Sequence, residues 1–577
     1  MKKDILSKNA LKIAESRYFI DEDETWEELA LRIARVAASV ENGTRAIYTN
    51  AFAEMISEMD FLPGGRILRN IGRPRGSLFN CYVLPCGDSI EEIGQYIKDS
   101  LILWSEGGGV GVNISHLRPR GALIRGKGGN SSGPVSFLEA ANAVSKTIES
   151  GGSRRAAALA GMHVSHPDIL EFIDAKLVHG KLDHFNLSVA VDDKFLEAVE
   201  ADGEWQFKFA QQAYGKIKAR TIWNKIVENM VLCAEPGLLH WGNLTSNNSY
   251  YFDPILSTNP CGEVPLASYG VCDLGSLVLP NFITGNVNTN WKKLEKAIKL
   301  AVRLLDNIID VNKYVLKNIE IKAHNARRIG LGVMGLAEYL FAKKLRYGSK
   351  KAIYEIERLM RFIRDTAYEA SVELAIEKGA FPKFDAPQYG KAHFIRSLPA
   401  ALRMQIKKHG TRNVTLMAMA PTGTISLLPE VTSGIEPLFR KAYKRSDRVS
   451  DRIYVHPLYE KSLNESDEDL SEWFVDTDDL TPSDHLETQV AVQKFTDGAV
   501  SKTINMPTGT TAEELSALTL EYIYDLKGLT VYVDGSREGQ ILNKVTEEEV
   551  RTYLDSGNMD NNADIETTLC ATGSCEI

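Results

Sequence analysis

Asn259-Pro-Cys-Gly-Glu-Val-Pro-Leu-Ala-Ser-Tyr-Gly-Val-Cys-Asp-Leu-Gly-Ser276 is the stretch around which the chain arranges itself. Its proline and glycine framework excludes a helix interior, so it reads as a rigid loop that presents Cys261 between an amide, Asn259, and a carboxylate, Glu263. A second thiol, Cys272, follows shortly after. A carboxylate with an unperturbed pKa of ~4.3 is a base at neutral pH, while a thiol at ~8.5 stays mostly protonated, so the pattern suggests chemistry at sulfur. The residues alone leave a second reading open, a Pro/Gly turn that holds one buried apolar cysteine.

The 577 residues are 44% hydrophobic and 25% charged, an ordinary globular composition with enough chain for a large core. Met1-Lys-Lys-Asp-Ile-Leu-Ser-Lys lacks the apolar core of a signal peptide, and no run approaches the ~18 apolar residues of a membrane span, so a cytoplasmic protein is expected. Seven cysteines, thinly spread at 81, 86, 233, 261, 272, 570 and 575, do not read as a secreted disulfide framework. A net charge of -9 gives no global attraction for nucleic acid, so any polyanionic ligand needs a local cationic cluster.

Thr25-Trp-Glu-Glu28 predicts a capped amphipathic helix continued by Leu29, Ile33, Val36 and Val40, within a helical lead-in over residues 1–60. Phe79, Cys81 and Val83 alternate as a strand would, and Ser89-x-x-Glu92 opens another helix. Glu106-Gly-Gly-Gly-Val-Gly111 follows a helical pattern and lacks dinucleotide-loop spacing, which makes it a tight turn; Gly126–Gly133 lacks the Gly-Lys-Ser/Thr end of a P-loop. Arg118-Pro-Arg-Gly-Ala-Leu-Ile-Arg125-Gly-Lys127 and Gly151-Gly152-Ser-Arg154-Arg155 place basic side chains on glycine-rich loops suited to phosphate. Residues 184–191 alternate as a strand, and long helical patterns occupy 291–314 and 351–378, the latter stopped by Gly379. Asn413–Ser426 reads as a strand running into a turn and a helix start, which makes Thr422, Gly423, Thr424 and Ser426 candidates for holding phosphate. Gly528–Arg537 is a last strand candidate, and Thr546-x-x-Glu549 opens a short helix. The polar, acidic end, with Cys570 and Cys575, is expected to be mobile.

These motifs, in this order over about residues 60–540, resemble the catalytic subunit of ribonucleotide reductase: Phe-Asn-Cys81, the two Gly/Arg loops, Asn-Pro-Cys261-Gly-Glu, Cys272, Pro-Thr-Gly-Thr-Ile-Ser426 and Tyr532-Val-Asp-Gly-Ser-Arg537. The resemblance implies a ten-stranded α/β barrel of two five-stranded parallel halves over residues 61–540, with the finger loop through its centre, the helical region before it and a redox tail at 541–577. It implies that Cys261 carries a thiyl radical that abstracts the 3'-hydrogen of a ribonucleotide, that Glu263 takes the 3'-hydroxyl proton and that Asn259 orients the ribose. Cys81 and Cys272 would supply the proton and reducing equivalents and finish as a disulfide, which Cys570 and Cys575 would reduce before passing oxidation on to thioredoxin or a similar dithiol. A flexible link of ~14 residues spans about 20 Å, enough to enter a cleft.

The same resemblance assigns Thr422, Gly423, Thr424 and Ser426 to the phosphates of a ribonucleoside diphosphate or triphosphate. Asp88, Arg118, Arg125, Gly151, Gly152, Arg154 and Arg155 fall to a deoxynucleoside triphosphate effector. A homodimer is expected, and the ~60 residues before the barrel motifs are too few for an ATP-cone. Pro63-Gly-Gly-Arg66, and Asn80 before Cys81, depart from the family's usual pattern.

The class I route for the radical needs two adjacent tyrosines where this chain has Tyr532-Val533, and Ala-Thr-Gly573-Ser does not resemble a glycyl-radical segment. Resemblance is therefore greatest to class II, whose cofactor is adenosylcobalamin, with no metal held directly by side chains. Two other readings remain: a four-thiolate zinc site built from Cys81, Cys86, Cys570 and Cys575, and a nucleotide sensor without catalysis.

Overall fold

The computed structural model describes residues 5–555 except 125–127, 151–153, 156, 179, 286, 447–450, 465–469, 471 and 535–541. Cys570, Cys575, Gly573, Arg125, Gly151, Gly152 and Arg537 lie outside the described residues.

The chain opens with helices Lys8–Arg17, Trp26–Ala37 and Arg45–Ser57. The expected capping box forms: Glu28 N–H donates to Thr25 Oγ1 at 3.3 Å and Thr25 N–H to a Glu28 carboxylate oxygen at 2.9 Å, which satisfies two of the end donors. Glu41, just beyond the second helix, is buried between Arg303 (2.9 Å) and Lys378 (2.8 Å), and so ties this helical unit to the long helices Trp291–Val311 and Lys350–Lys378.

Ten strands form one sheet: β1 (Phe61–Pro63), β2 (Cys81–Leu84), β3 (Gly109–Asn113), β4 (Ala158–His163), β5 (Phe185–Val191), β6 (Gly237–His240), β7 (Val271–Val278), β8 (Ile329–Met334), β9 (Thr503–Met506) and β10 (Gly528–Val533). Strands β2, β3, β4, β5 and β6 pair in that order, all parallel. The parallel pairs β7–β8 and β9–β10 flank this block through antiparallel joints, β7 against β2 and β6 against β10, and β1 lies antiparallel on β7. Isolated parallel bridges connect Leu331 to Met417 and Met419 to Val500, so residues 417–419 run between β8 and the approach to β9. Helices cover the sheet. Strands buried on both faces are expected of parallel α/β sheets, and β2, β7 and β8 are buried along their whole length.

Two local expectations change, and a third feature gains a reason. The Phe79–Val83 alternation marks no two-faced strand: β2 starts at Cys81 and every residue in it is buried. Residues 413–420 make isolated bridges and no continuous ladder, and the helix start after Thr424 is a single 3-10 turn, Ile425–Leu427, too short to gather a row of free N–H groups. The glycines of the Glu106–Gly111 turn have a packing reason. A Cβ at Gly111 would fall 1.8 Å from the carbonyl oxygen of Thr258, and one at Gly109 would lie 2.9 Å from Pro260 Cγ, so these positions let the finger loop press on the backbone of β3.

Candidate active site

The finger is a hairpin of Ile255–Thr258 and Pro265–Ala267, with Asn259–Val264 as its tip. Within the tip, Asn259 N–H donates to Val264 O (3.2 Å), Gly262 N–H to Asn259 O (3.0 Å) and Val264 N–H to Asn259 Oδ1 (2.9 Å). The surrounding segments hold it from several sides: Asn113 Nδ2 donates to Leu256 O (3.0 Å), Asn186 Nδ2 to Pro260 O (3.2 Å) and Ala499 N–H to Glu263 O (2.7 Å). Each bond fixes finger backbone that the Pro/Gly sequence keeps out of regular ladders. The tip is therefore a firmly seated loop, which is what positioning a reactive group requires.

On one face of the tip, Cys81 and Cys272 stand directly opposite each other in the antiparallel register of β2 and β7. Such partners have Cα atoms about 4.5–5.5 Å apart, within the roughly 4.4–6.8 Å that a disulfide spans. Both thiols are free and fully buried. Asn259 Nδ2 lies 3.2 Å from Cys81 Sγ, and Cys81 Sγ is 3.9 Å from Glu263 Oε1. Val83, Val264, Leu266, Leu274, Ala418 and Ala420 close an apolar wall around the pair. Burial pushes both thiols well above their ordinary pKa, with Glu263 adding to the effect at Cys81 and Asp273 at Cys272. Burial likewise raises Glu263 to about 7, and its Oε2 has no protein partner.

On the other face, Cys261 lines a small, open cleft of about 70 Å³. Asn186, Ser188, Glu235, Thr503 and Thr530 supply polar groups there, and Leu238 and Leu239 an apolar wall. Cys261 keeps some solvent contact, although burial still raises its thiol well above the ordinary value.

The phosphate-loop candidate follows directly from the segment that packs on the finger. Thr422 has φ +53°, uncommon for a β-branched residue, and its Oγ1 accepts the Gly434 N–H at 2.7 Å. Ser426 Oγ lies 3.1 Å from Ser433 Oγ, and Ser426 N–H donates to Thr422 O at 3.0 Å. Thr424 occupies the N-cap position of the 3-10 turn and makes no side-chain capping bond there. The effector candidates are less free than their sequence suggested: Arg118 is held by Asp88 through its backbone N–H and through Nε, both at 2.9 Å. Arg154 and Arg155 form a short strand against Glu149–Ser150, and the placement of their side chains is outside the description.

Several residues at the site carry no local signal. Asn186 and Ser188 reach the cleft only because β5 runs beside the finger, and Lys502 lines it with a fully buried side chain. Asp273, next to Cys272, is buried without a protein partner for either carboxylate oxygen, and burial pushes it well above the carboxylate range. Only the anomaly of an Asp inside an apolar strand, Val271–Val278, marked it. Among the described residues, no group of three or more His, Cys, Asp or Glu is arranged to hold a metal ion. No helix among them is long and apolar enough to cross a membrane.

Residues 79–532 match the family described as "Ribonucleotide reductase, barrel domain", and residues 5–76 match "Ribonucleotide reductase, all-alpha domain". A Mycobacterium tuberculosis (strain CDC 1551 / Oshkosh) protein named vitamin B12-dependent ribonucleoside-diphosphate reductase is 35% identical over 96% of this chain and 82% of its own length. A protein of the same name from Thermoplasma acidophilum is 33% identical over 92% of this chain and 72% of its own. The ribonucleoside-diphosphate reductase large chain of Schizosaccharomyces pombe is 28% identical over 72% of this chain and 56% of its own. With a matched barrel domain covering most of its length and these relatives beside it, the chain belongs to the ribonucleotide reductase large-chain family.

Proposed function

We propose that this chain reduces ribonucleoside diphosphates to 2'-deoxyribonucleotides by thiyl-radical chemistry, with adenosylcobalamin as the radical source. The observation that carries the proposal is the placement of Cys261 at the tip of a seated finger, with an open cleft on one side and Asn259, Glu263, Cys81 and Cys272 on the other. The diphosphate substrate and the cofactor are supported by the names of the relatives, which are vitamin B12-dependent ribonucleoside-diphosphate reductases.

Loss of a 2'-hydroxyl is difficult by ionic chemistry and easy from a 3'-carbon radical once that hydroxyl is protonated. Cys261, as a thiyl radical, takes the 3'-hydrogen and becomes a thiol. Glu263, poised near neutrality, takes the 3'-hydroxyl proton. Asn259 orients the ribose from its bonds to Val264 and Cys81. One thiol of the Cys81–Cys272 pair, kept protonated by burial, donates its proton to the departing 2'-hydroxyl, which leaves as water; the pair's second hydrogen and its two electrons pass to the sugar, the hydrogen ending on the 2'-carbon, as the disulfide closes, and Glu263 returns its proton to the 3'-oxygen. Cys261 then returns the hydrogen to the 3'-carbon. Thr422, Gly423, Thr424 and Ser426 hold the diphosphate.

The cofactor fits the residues present. The cleft beside Cys261 is open at its mouth, so a large cofactor need not enter whole, and Asn186, Ser188, Thr503 and Thr530 are placed to hold hydroxyl-bearing groups. When bound, adenosylcobalamin supplies the oxidising equivalent that converts the Cys261 thiol to its radical. Val533 beside Tyr532 supports this source over transfer along paired tyrosines from a second subunit.

The wider reading completes the picture. The sheet closes into a ten-stranded barrel made of β2–β10 and residues 417–419, with β1 outside it, supported by the Leu331–Met417 and Met419–Val500 bridges. Asp88, Arg118, Arg125, Gly151, Gly152, Arg154 and Arg155 serve a deoxynucleotide effector at a homodimer. The tail thiols Cys570 and Cys575 pass electrons from thioredoxin or a similar dithiol. The chain divides into a helical region, residues 1–60, the barrel, 61–540, and the tail, 541–577.

Prereduced chain with Cys570 and Cys575 replaced by serine, given adenosylcobalamin and CDP without external reductant, should form deoxynucleotide and leave Cys81 joined to Cys272, read by mass spectrometry of the alkylated protein. Product without that disulfide, or with both thiols still alkylated, overturns the assignment of the pair.

A further inference from the structure

Three neighbouring strands set three side chains in one row. In the antiparallel register of β2 and β7, Cys81 stands opposite Cys272. In the parallel register of β7 and β8, Asp273 stands opposite Ile329 and Leu274 opposite Gly330, so one step back along both chains sets Arg328 beside Cys272. Residues opposite each other on adjacent strands point to the same face, and the strands lie about 4.8 Å apart. A Cβ built on Gly330, two residues after Arg328 and on the same face, would come within 3.1 Å of Cys272 Sγ, so this face of β8 is the one that meets the thiol. The row reads Cys81, Cys272, Arg328.

Arg328 is 5% exposed, yet among the described residues it makes no hydrogen bond and no ion pair. Its guanidinium lies over the ring of Tyr250, 5.1 Å from the centroid, which is a neutral neighbour. The carboxylates of this region are engaged elsewhere. Arg327 takes Asp306 and Asp310, Lys322 takes Asp253, and Asp497 accepts the Tyr368 hydroxyl and the N–H groups of Leu416, Met417 and Gly498. A buried cation without a partner is costly, and an apolar side chain would end the row without that cost. What the guanidinium offers is a fixed positive charge for a negative one that forms next to it, and its neighbour in the row is Cys272.

The two sulfurs therefore have unlike surroundings. Cys81 Sγ lies 3.9 Å from Glu263 Oε1, and burial together with that carboxylate pushes its thiol well up. Burial and Asp273 also raise Cys272, but there Arg328 acts in the opposite direction and favours the thiolate.

We propose that Arg328 is a positioning residue that polarises the Cys81–Cys272 disulfide, so that a reducing thiolate attacks Cys81 and Cys272 departs as the thiolate. The inference rests on the ribonucleotide reductase reading given above, in which this pair closes in each round. The attacking sulfur bonds to Cys81 Sγ as the bond between the two Sγ atoms breaks. The electron pair of that bond goes to Cys272, which then takes a proton from water. A second thiolate of the reductant attacks the sulfur bound to Cys81, closes the reductant's own disulfide and releases Cys81, which is protonated in turn. Exchange is faster when the departing thiolate is more stable, so the unpaired guanidinium both speeds re-reduction and fixes its direction.

The test uses the full chain with Cys570 and Cys575 replaced by serine, taken through one round so that Cys81 and Cys272 are joined. The oxidised chain is treated with 2-mercaptoethanol in the presence of iodoacetamide, and its peptides are mapped by mass spectrometry. The mercaptoethanol adduct should sit on Cys81 and the carbamidomethyl group on Cys272, in at least about tenfold excess over the reverse arrangement. Adducts on Cys272, or on both equally, overturn the proposal with no substitution at Arg328. In Arg328→Gln, reduction by dithiothreitol should slow at least about tenfold and the preference for Cys81 should shrink to within about twofold, whereas Arg328→Lys should keep the preference and stay within about threefold of the parent rate. Prereduced Arg328→Gln should still give its single round of product. A merely structural role would leave the site of attack unchanged and would not be rescued by lysine, and either result overturns the proposal. If Arg328→Gln does not fold, the mapping in the parent and in Arg328→Lys decides. A parent that forms product without the disulfide overturns the role of the pair and this proposal with it. If no product forms, the function reading fails, and the disulfide made with diamide still reports the direction of attack.

Discussion

The two faces of the finger tip are built from the same loop and have opposite characters: toward β2 and β7 it is sealed, and toward the cleft it is open. On the sealed face Cys81, Cys272, Asn259 and Glu263 are fully buried inside an apolar wall. On the open face Cys261 keeps solvent contact and borders polar groups from distant parts of the chain. The difference separates two chemical needs. Proton and electron donation call for thiols that stay protonated and meet no bulk water, which burial provides by raising their pKa. Receipt of an oxidising equivalent calls for a thiol that can be reached from outside the protein, and Cys261 is partly exposed at an open cleft. In the proposed reaction one short loop serves both, because Cys261 and Glu263 are two residues apart and their surroundings differ.

The sharpest way to break the comparison is at Cys261 itself. Cys261→Ser should abolish deoxynucleotide formation and leave CDP binding intact, because the hydroxyl is nearly isosteric while its O–H bond is too strong for the exchange. Appreciable turnover by this variant would remove Cys261 from its role. On the sealed face, Glu263→Gln should lower kcat by about 10²–10⁴-fold, the usual contribution of a positioned base, and abolish the rise of single-turnover rate as pH increases through about 7. A retained pH profile would assign that base to another group. Replacing Cys570 and Cys575 with serine should confine thioredoxin-driven reaction to a single round and spare the round given by prereduced chain, because Cys81 and Cys272 still hold one electron pair. Equal loss in both assays would give the tail a different task.

A smaller effect is predicted in stability. The folded-state pKa of Glu263 is raised from 4.5 to about 7, so the folded chain holds a proton that the unfolded chain has released between those values. This contribution is fully present below about 4.5 and is lost as pH rises through about 7, an amount of about 3 kcal/mol at most. Glu263→Gln should therefore be more stable than the parent at pH 8 and show little advantage at pH 4.5, measured by denaturant unfolding. Identical pH dependence in the two proteins would mean that Glu263 is not held neutral by burial.

The contrast between the faces also shows what the sequence made legible. The finger could be read because proline, glycine and the Asn-Cys-Glu pattern act within six residues, and helices such as Trp26–Ala37, Trp291–Val311 and Lys350–Lys378 could be read because periodicity and caps are local. Asn186 and Lys502 could not, because what brings them to the site is strand order between segments hundreds of residues apart. The 413–420 segment misled for the opposite reason. It has strand composition, but its neighbours β8 and the run before β9 offer it only isolated bridges, and Asp497 accepts the N–H groups of Leu416 and Met417 in place of a ladder partner, each at 2.8 Å. The glycines of Glu106–Gly111 read as a tight turn, and the packing they permit, the approach of Thr258 and Pro260, depends on a finger that lies about 150 residues further along.

The central claim is that a single polypeptide with an open cleft beside Cys261 generates and uses its own radical. Purified chain, incubated without oxygen with CDP, adenosylcobalamin and a dithiol, should form dCDP repeatedly with no other protein present. The account is contradicted if the chain stays inactive with adenosylcobalamin and gains activity from a metal-containing, ferritin-like second subunit.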